Sequence, residues 1–151
     1  MRARIRADDD LHTALVAAGV EPSDDGGALV FQPVDVTNWP EARIELTQAF
    51  RQSKGAAVEG RPVVYIVGID DLLGRSGPVP AMVAAGLASA ARTLALELEK
   101  QGVPVNTIVV GQDSDPGTVA AWSLMLLQAG PSGPTGELIH LGGAQIGKAL
   151  S

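Results

Sequence analysis

Short apolar runs alternate along the chain with segments whose apolar residues recur at helical spacing, the mark of an α/β domain. Arg2 to Ala7 alternates weakly and reads as a short edge strand. Asp8-Asp9-Asp10 then offers capping oxygens to a helix from Leu11 to Ala18, stopped by Gly19. Glu21 to Gly27 reads as a polar turn, and Ala28 to Val34 as a strand ending near Pro33. Asn38 caps a helix with Pro40 in its first turn, running to about Ser53 and presenting Ile44, Leu46, Ala49 and Phe50. Pro62 to Ile69 is almost continuously apolar, as expected of a central parallel strand buried on both faces. A loop from Gly74 leads to a long helix, Pro80 to Lys100, ended by Gly102. Val103 to Val110 is a second buried strand, Pro116 to Ala129 a helix, and Glu137 to Leu141 the last strand.

This pattern predicts a single domain over residues 1–151. Its class is a three-layer Rossmann-like or flavodoxin-like α/β fold, with a mostly parallel sheet of about five strands and helices on both faces. Composition sharpens the picture. Hydrophobic residues make up 46% of the chain but aromatics only 3%, so the core is built from Val, Leu, Ile and Ala. The absence of cysteine excludes disulfides, thiolate metal sites and cysteine nucleophiles. A net charge of −6 argues against nucleic-acid or anionic-membrane partners, which require clustered Lys and Arg. With no run of about 18 apolar residues, a cytoplasmic protein without a membrane partner is expected.

From Arg61 to Gly143 the order of segments resembles the short-chain dehydrogenase/reductase family. The resemblance is carried by Ala90 to Leu98, by Val105-Asn106-Thr107-Ile108-Val109-Val110-Gly111, and by Thr135-Gly136-Glu137-Leu138-Ile139-His140-Leu141-Gly142-Gly143. In that family a Ser ends the fifth strand, and a Tyr and a Lys four residues apart open the next helix. The Tyr acts as acid/base, and the Lys lowers its pKa and holds the cofactor ribose. Ungapped alignment on Leu94 to Leu98 sets Gly68 at the Ser position, Pro80 at the Tyr position and Ala84 at the Lys position. None can transfer a proton, and the only tyrosine, Tyr65, lies inside a strand. The family's Gly-rich dinucleotide turn is replaced by Ala7-Asp8-Asp9-Asp10, whose carboxylates repel a diphosphate. The resemblance therefore implies a truncated, degenerate member that uses no cofactor and has no catalytic residues. It is similar to the non-catalytic, flavodoxin-like half of long ketoacyl reductases. A subunit supporting an active NAD(P)-dependent short-chain dehydrogenase/reductase, with a hydroxyacyl or ketoacyl substrate, is what this implies.

Other residues point to contacts. Val79 to Ala91 contains no charge, whereas a helix covering a sheet on one side should show a polar outer face. Met82, Ala85, Gly86 and Ser89, with Phe50, are the expected interface residues, and the family resemblance places this helix in a four-helix dimer contact. The partner is then an active dehydrogenase subunit or a second copy of this chain. Asp35, Asp70, Asp71, Asp113 and Asp115 gather where the strands' carboxyl ends should lie. They leave open a self-associating module with an acidic, metal-binding edge, although loop and cap aspartates account for them as well. Gly142 to Lys148 matches a phosphate-loop spacing, but Ala149 stands where Ser or Thr is needed. His12, His140, Trp39 and Trp122 read as packing or interface residues.

Overall fold

The computed structural model describes residues 1–142. The Gly142–Lys148 spacing and the second glycine of the closing Gly-Gly pair therefore run outside the described residues. The elements are β1 (Arg2–Arg6), α1 (Asp9–Ala17), β2 (Glu21–Pro22), β3 (Ala28–Phe31), α2 (Trp39–Val58), β4 (Val63–Gly68), α3 (Ile69–Leu72), α4 (Pro78–Glu97), β5 (Val105–Val110), α5 (Pro116–Gln128) and β6 (Leu138–Leu141). The strands form one sheet in the order β2-β1-β3-β4-β5-β6, with every neighbouring pair parallel. The sixth strand is β2, two residues that the sequence presents only as a polar turn. It lies at the sheet edge, Arg2 opposite Glu21, where Pro22 costs no central hydrogen bond.

Alternate residues of the central strands feed two cores, as the pleat requires. Val63, Tyr65 and Val67 of β4 join Leu29, Phe31, Val105 and Val109 beneath α2 and α4. Val64 and Ile66 join Ala3, Val30 and Ile108 beneath α1 and α5, where Leu11, Leu15, Leu126 and Leu127 cover them. The helix ends follow local chemistry. Asp8, Asn38 and Asp115 cap α1, α2 and α5 by accepting from the N–H groups of Leu11, Glu41 and Thr118. In α4 both Pro78 and Pro80 fall in the first turn, so the helix begins two residues before its expected start. Gly102, at φ +67, ends the short 3-10 turn that follows.

The inner face of α2 differs from the sequence expectation. Ala42, Glu45, Ala49, Ser53 and Ala56 are buried, whereas Ile44 and Phe50 are exposed. Small residues let the helix lie close to the sheet, and burial of Ala56 draws the helix on to Val58 instead of ending near Ser53. The polar groups so buried are paired. Glu45 receives the Arg6 guanidinium, with Nη1 2.8 Å from Oε2 and Nη2 against Oε1, and also the Val34 N–H at 3.0 Å. Gly27, which leads into β3, has φ +99, and a Cβ there would lie 2.7 Å from the Arg2 carbonyl oxygen.

Candidate functional site

The chain runs from β1 outward to β2 and then returns past β1 to β3, so strand order reverses between β1 and β3. In open α/β sheets that switch point, at the carboxyl ends of the strands, is the usual ligand crevice. Here it is a hollow of about 130 Å³ lined by Asp8, Asp10, Gln32, Gly111 and Ser114 among others. That is below the few hundred Å³ of ordinary ligand pockets. Asp8 already caps α1, and its own N–H donates to the Gln32 side-chain oxygen at 2.8 Å. With Asp9 and Asp10 in the first turn, the helix end that would greet a pyrophosphate carries three carboxylates. These residues do not fit a nicotinamide dinucleotide.

The acidic edge does not assemble either. Asp70 accepts from Arg75 at 3.0 Å and from the Gln112 amide; these two hydrogen bonds, in that order, hold its carboxyl below the ordinary range. Asp115 is spent on capping α5, and Asp35 and Asp113 are exposed loop residues. Among the described residues no three His, Cys, Asp or Glu side chains come together at ligating range, so a metal-binding edge has no geometry behind it.

The positions that the resemblance aligns with the family's Ser, Tyr and Lys lie as follows. Gly68 ends β4 and leads into α3, Pro80 sits in the first turn of α4, and Ala84 is buried against the sheet. Tyr65 lies three residues before Gly68 along β4 and points into the layer beneath α2 and α4, away from the strand ends. Its hydroxyl shares a hydrogen bond with Ser53, and burial raises its pKa, the Ser53 bond opposing that rise.

What the outer surface offers is a furrow between α2 and α4. One end is a hollow of about 370 Å³ lined by Trp39, Arg43, Leu46, Thr47, Phe50 and Met82. It continues past Leu46 and Phe50 into a deeper cleft of about 570 Å³ that reaches Ser53 and Tyr65 and is bounded by Gly86, Leu94 and Glu97. Of the expected interface residues, Phe50, Met82, Ala85 and Ser89 are exposed along this helix pair, Phe50 at 67% and Met82 at 54%. Gly86 is half-buried, and a Cβ on it would press within 3.2 Å of the Leu46 side chain, so its smallness serves packing within the chain. Ala88 is likewise spent internally, at 8% exposure. Trp39, half exposed, joins the face, and Leu46 lines it; their spacing with Phe50 marks a second, outward apolar stripe on α2 that the sequence does contain. His140 is exposed on edge strand β6, beside an open hollow shared with Leu72, Ala85 and Arg92, while Trp122 lies partly exposed on α5.

By length and hydropathy α4 meets the test for a membrane-crossing helix, with a mean of 1.5 over its best window. Its inner side is accounted for by its place as the crossover between parallel strands β4 and β5, where Val83, Ala84, Leu87, Ala88, Ala91 and Ala95 are buried, while Met82, Ala85, Ser89 and Ala90 stay exposed.

Taken together these features define a doubly wound, Rossmann-like domain with a wholly parallel sheet. No known sequence-family model and no characterised protein sequence matches the chain. Solved structures do. A short-chain dehydrogenase/reductase-family oxidoreductase from Burkholderia thailandensis superposes with a TM-score of 0.73 at 17% identity, over 97% of this chain and 92% of that one. A Brucella ovis oxidoreductase described in the same way gives 0.66 at 18% identity, over 93% and 99%. The NADH-dependent enoyl-[acyl-carrier-protein] reductase of Aquifex aeolicus gives 0.62 at 17% identity, over 76% of this chain and 59% of the enzyme. The fold is thus the one these oxidoreductases share.

Proposed function

We propose that this chain is a non-catalytic dehydrogenase-like subunit that docks through α2 and α4 onto an active NAD(P)-dependent short-chain dehydrogenase/reductase. The observation that carries the reading is the furrowed face where Trp39, Phe50 and Met82 stand exposed beside the uncharged stretch from Val79 to Ala91. Supporting it, the positions aligned with the family's proton-transfer residues hold Gly68, Pro80 and Ala84, and the switch-point crevice is small and acidic. The partner's substrate in this reading is a hydroxyacyl or ketoacyl thioester, and one of the similar folds belongs to a reductase of acyl-carrier-protein substrates. The complex in this reading is cytoplasmic.

The test is co-expression with short-chain dehydrogenase/reductases of the same cell, followed by affinity purification and light scattering. The wild-type chain is expected to co-purify with one such enzyme, and Phe50→Glu and Met82→Glu to lose it while remaining folded. Turnover of a carbonyl by the isolated chain with either nicotinamide cofactor would overturn the proposal, as would a chain that stays monomeric in the presence of these enzymes. A second copy of this chain is the alternative occupant. Arg43 borders one end of the furrow and Glu97 the other, so antiparallel two-fold pairing would set opposite charges face to face. Light scattering of the chain alone separates the two.

A further inference from the structure

The floor of the deeper cleft has a hydrogen-bond inventory that does not balance. Ser53 and Tyr65 are 5% and 2% exposed, and each has the other as its hydroxyl's partner among the described residues. Two hydroxyls carry two donor hydrogens, and their mutual bond uses one. The helical alternative, donation to the carbonyl four residues back, is made by Ser123 to Val119 and by Thr47 to Arg43, but not by Ser53. One donor is therefore unspent, and both residues line the cleft. A donor left without a partner on the floor of an apolar cleft is unfavourable, so the site is poised for an acceptor.

The walls above it are apolar. Ala49 on α2 and Ala90 on α4 are small residues on its walls, and Leu46, Phe50 and Leu94 line it. At about 570 Å³ its size falls within the range of small-molecule pockets. An apolar body with one convergent donor is the recognition pattern for a neutral hydrophobic compound carrying a single acceptor.

We propose that the α2/α4 cleft binds a small apolar carbonyl compound, its oxygen accepting the free hydrogen of the Ser53–Tyr65 pair. This goes beyond the docking reading and does not rest on it, because the isolated chain is the binding species. The probes are butyrophenone and butylbenzene, which share nearly one shape and differ in the carbonyl. In calorimetric titration and thermal melts of the purified chain, butyrophenone binds about tenfold more tightly than butylbenzene, the worth of one buried hydrogen bond, and raises the melting temperature further. In the double variant Ser53→Ala, Tyr65→Phe the floor becomes apolar and that preference disappears or reverses. Ala90→Trp, a change at an exposed position on the rim, fills the cleft and abolishes binding of both probes.

Equal binding of the two compounds by the wild-type chain overturns the proposal, and that comparison needs no variant to fold. So does a ketone preference that survives the double variant, or binding indifferent to Ala90→Trp. A melting temperature that rises with protein concentration while butyrophenone has no effect identifies a second copy as the occupant, and equally overturns it. Loss of co-purification with a dehydrogenase leaves each of these readouts in place, so the two ideas fail separately.

Discussion

Replacing Arg6 by methionine tests how β1 is fastened to α2. The Glu45 carboxylate is 3% exposed and the Arg6 side chain 26% exposed. The Arg6 guanidinium donates to both Glu45 carboxylate oxygens and to the Gln32 carbonyl at 3.1 Å, and its carbon lies 5.0 Å from the centre of the Phe31 ring. Methionine keeps an unbranched apolar side chain, removes the guanidinium from over Phe31, and leaves Glu45 with the Val34 N–H as its one remaining donor. Breaking a buried pair by removing one partner costs about 3–5 kcal/mol. Because a quarter of Arg6 meets water, which can re-enter to hydrate the carboxylate, the expected loss is about 3 kcal/mol, the lower end of that range. For a domain of this length that corresponds to a fall of roughly 6–12 °C in melting temperature. Removing both charges, in Arg6→Met with Glu45→Leu, should recover most of the loss, since the exposed Val34 can turn its N–H to water. Urea unfolding monitored by far-ultraviolet circular dichroism measures both variants, with an unchanged denaturant slope confirming a pure stability effect. A single variant costing under about 1 kcal/mol, or a double variant no better than the single, would refute the claim that an uncompensated buried charge is the penalty.

Four further outcomes are expected. Gly27→Ala should destabilise by more than about 1 kcal/mol in the same assay, because an L residue is strained at that positive φ and its Cβ meets the Arg2 carbonyl. Tyr65 is the chain's single tyrosine, so absorbance at 295 nm follows it directly. Burial raises its folded pKa above the unfolded value near 10, so the folded chain keeps a proton that the unfolded chain loses, and stability falls as pH climbs past about 10; a folded midpoint at 10 would contradict the buried placement. Asp70, lowered chiefly by the Arg75 hydrogen bond, and Asp25, lowered chiefly by Ser23 and then Arg2, stabilise the fold above the unfolded carboxylate pKa near 4. That contribution is lost as pH falls through their depressed folded values, and Asp70→Asn with Asp25→Asn should flatten the acid limb of a stability–pH curve. Phe50→Glu should change folding stability by no more than about 0.5 kcal/mol, since the ring is mostly in solvent, and a larger loss would mean that Phe50 holds the core.

The order and type of the longer elements, the largely aliphatic central strands and the capping residues Asp8 and Asn38 were legible in the chain because each rests on local spacing or local hydrogen bonding. The chain alone did not reveal which face of α2 turns inward. Apolar residues lie on both of its sides, and the choice went to small residues because the helix must approach the sheet closely. Nor could local pattern announce the pairing of Arg6 with Glu45 or of Ser53 with Tyr65, since those partners are brought together by strand order and crossover across long separations in sequence. Two-residue β2 has no periodicity to read; its strand character exists only because β1 offers it an edge. The furrow between α2 and α4 belongs to neither helix, and its depth was decided when both were laid side by side on the same face of the sheet.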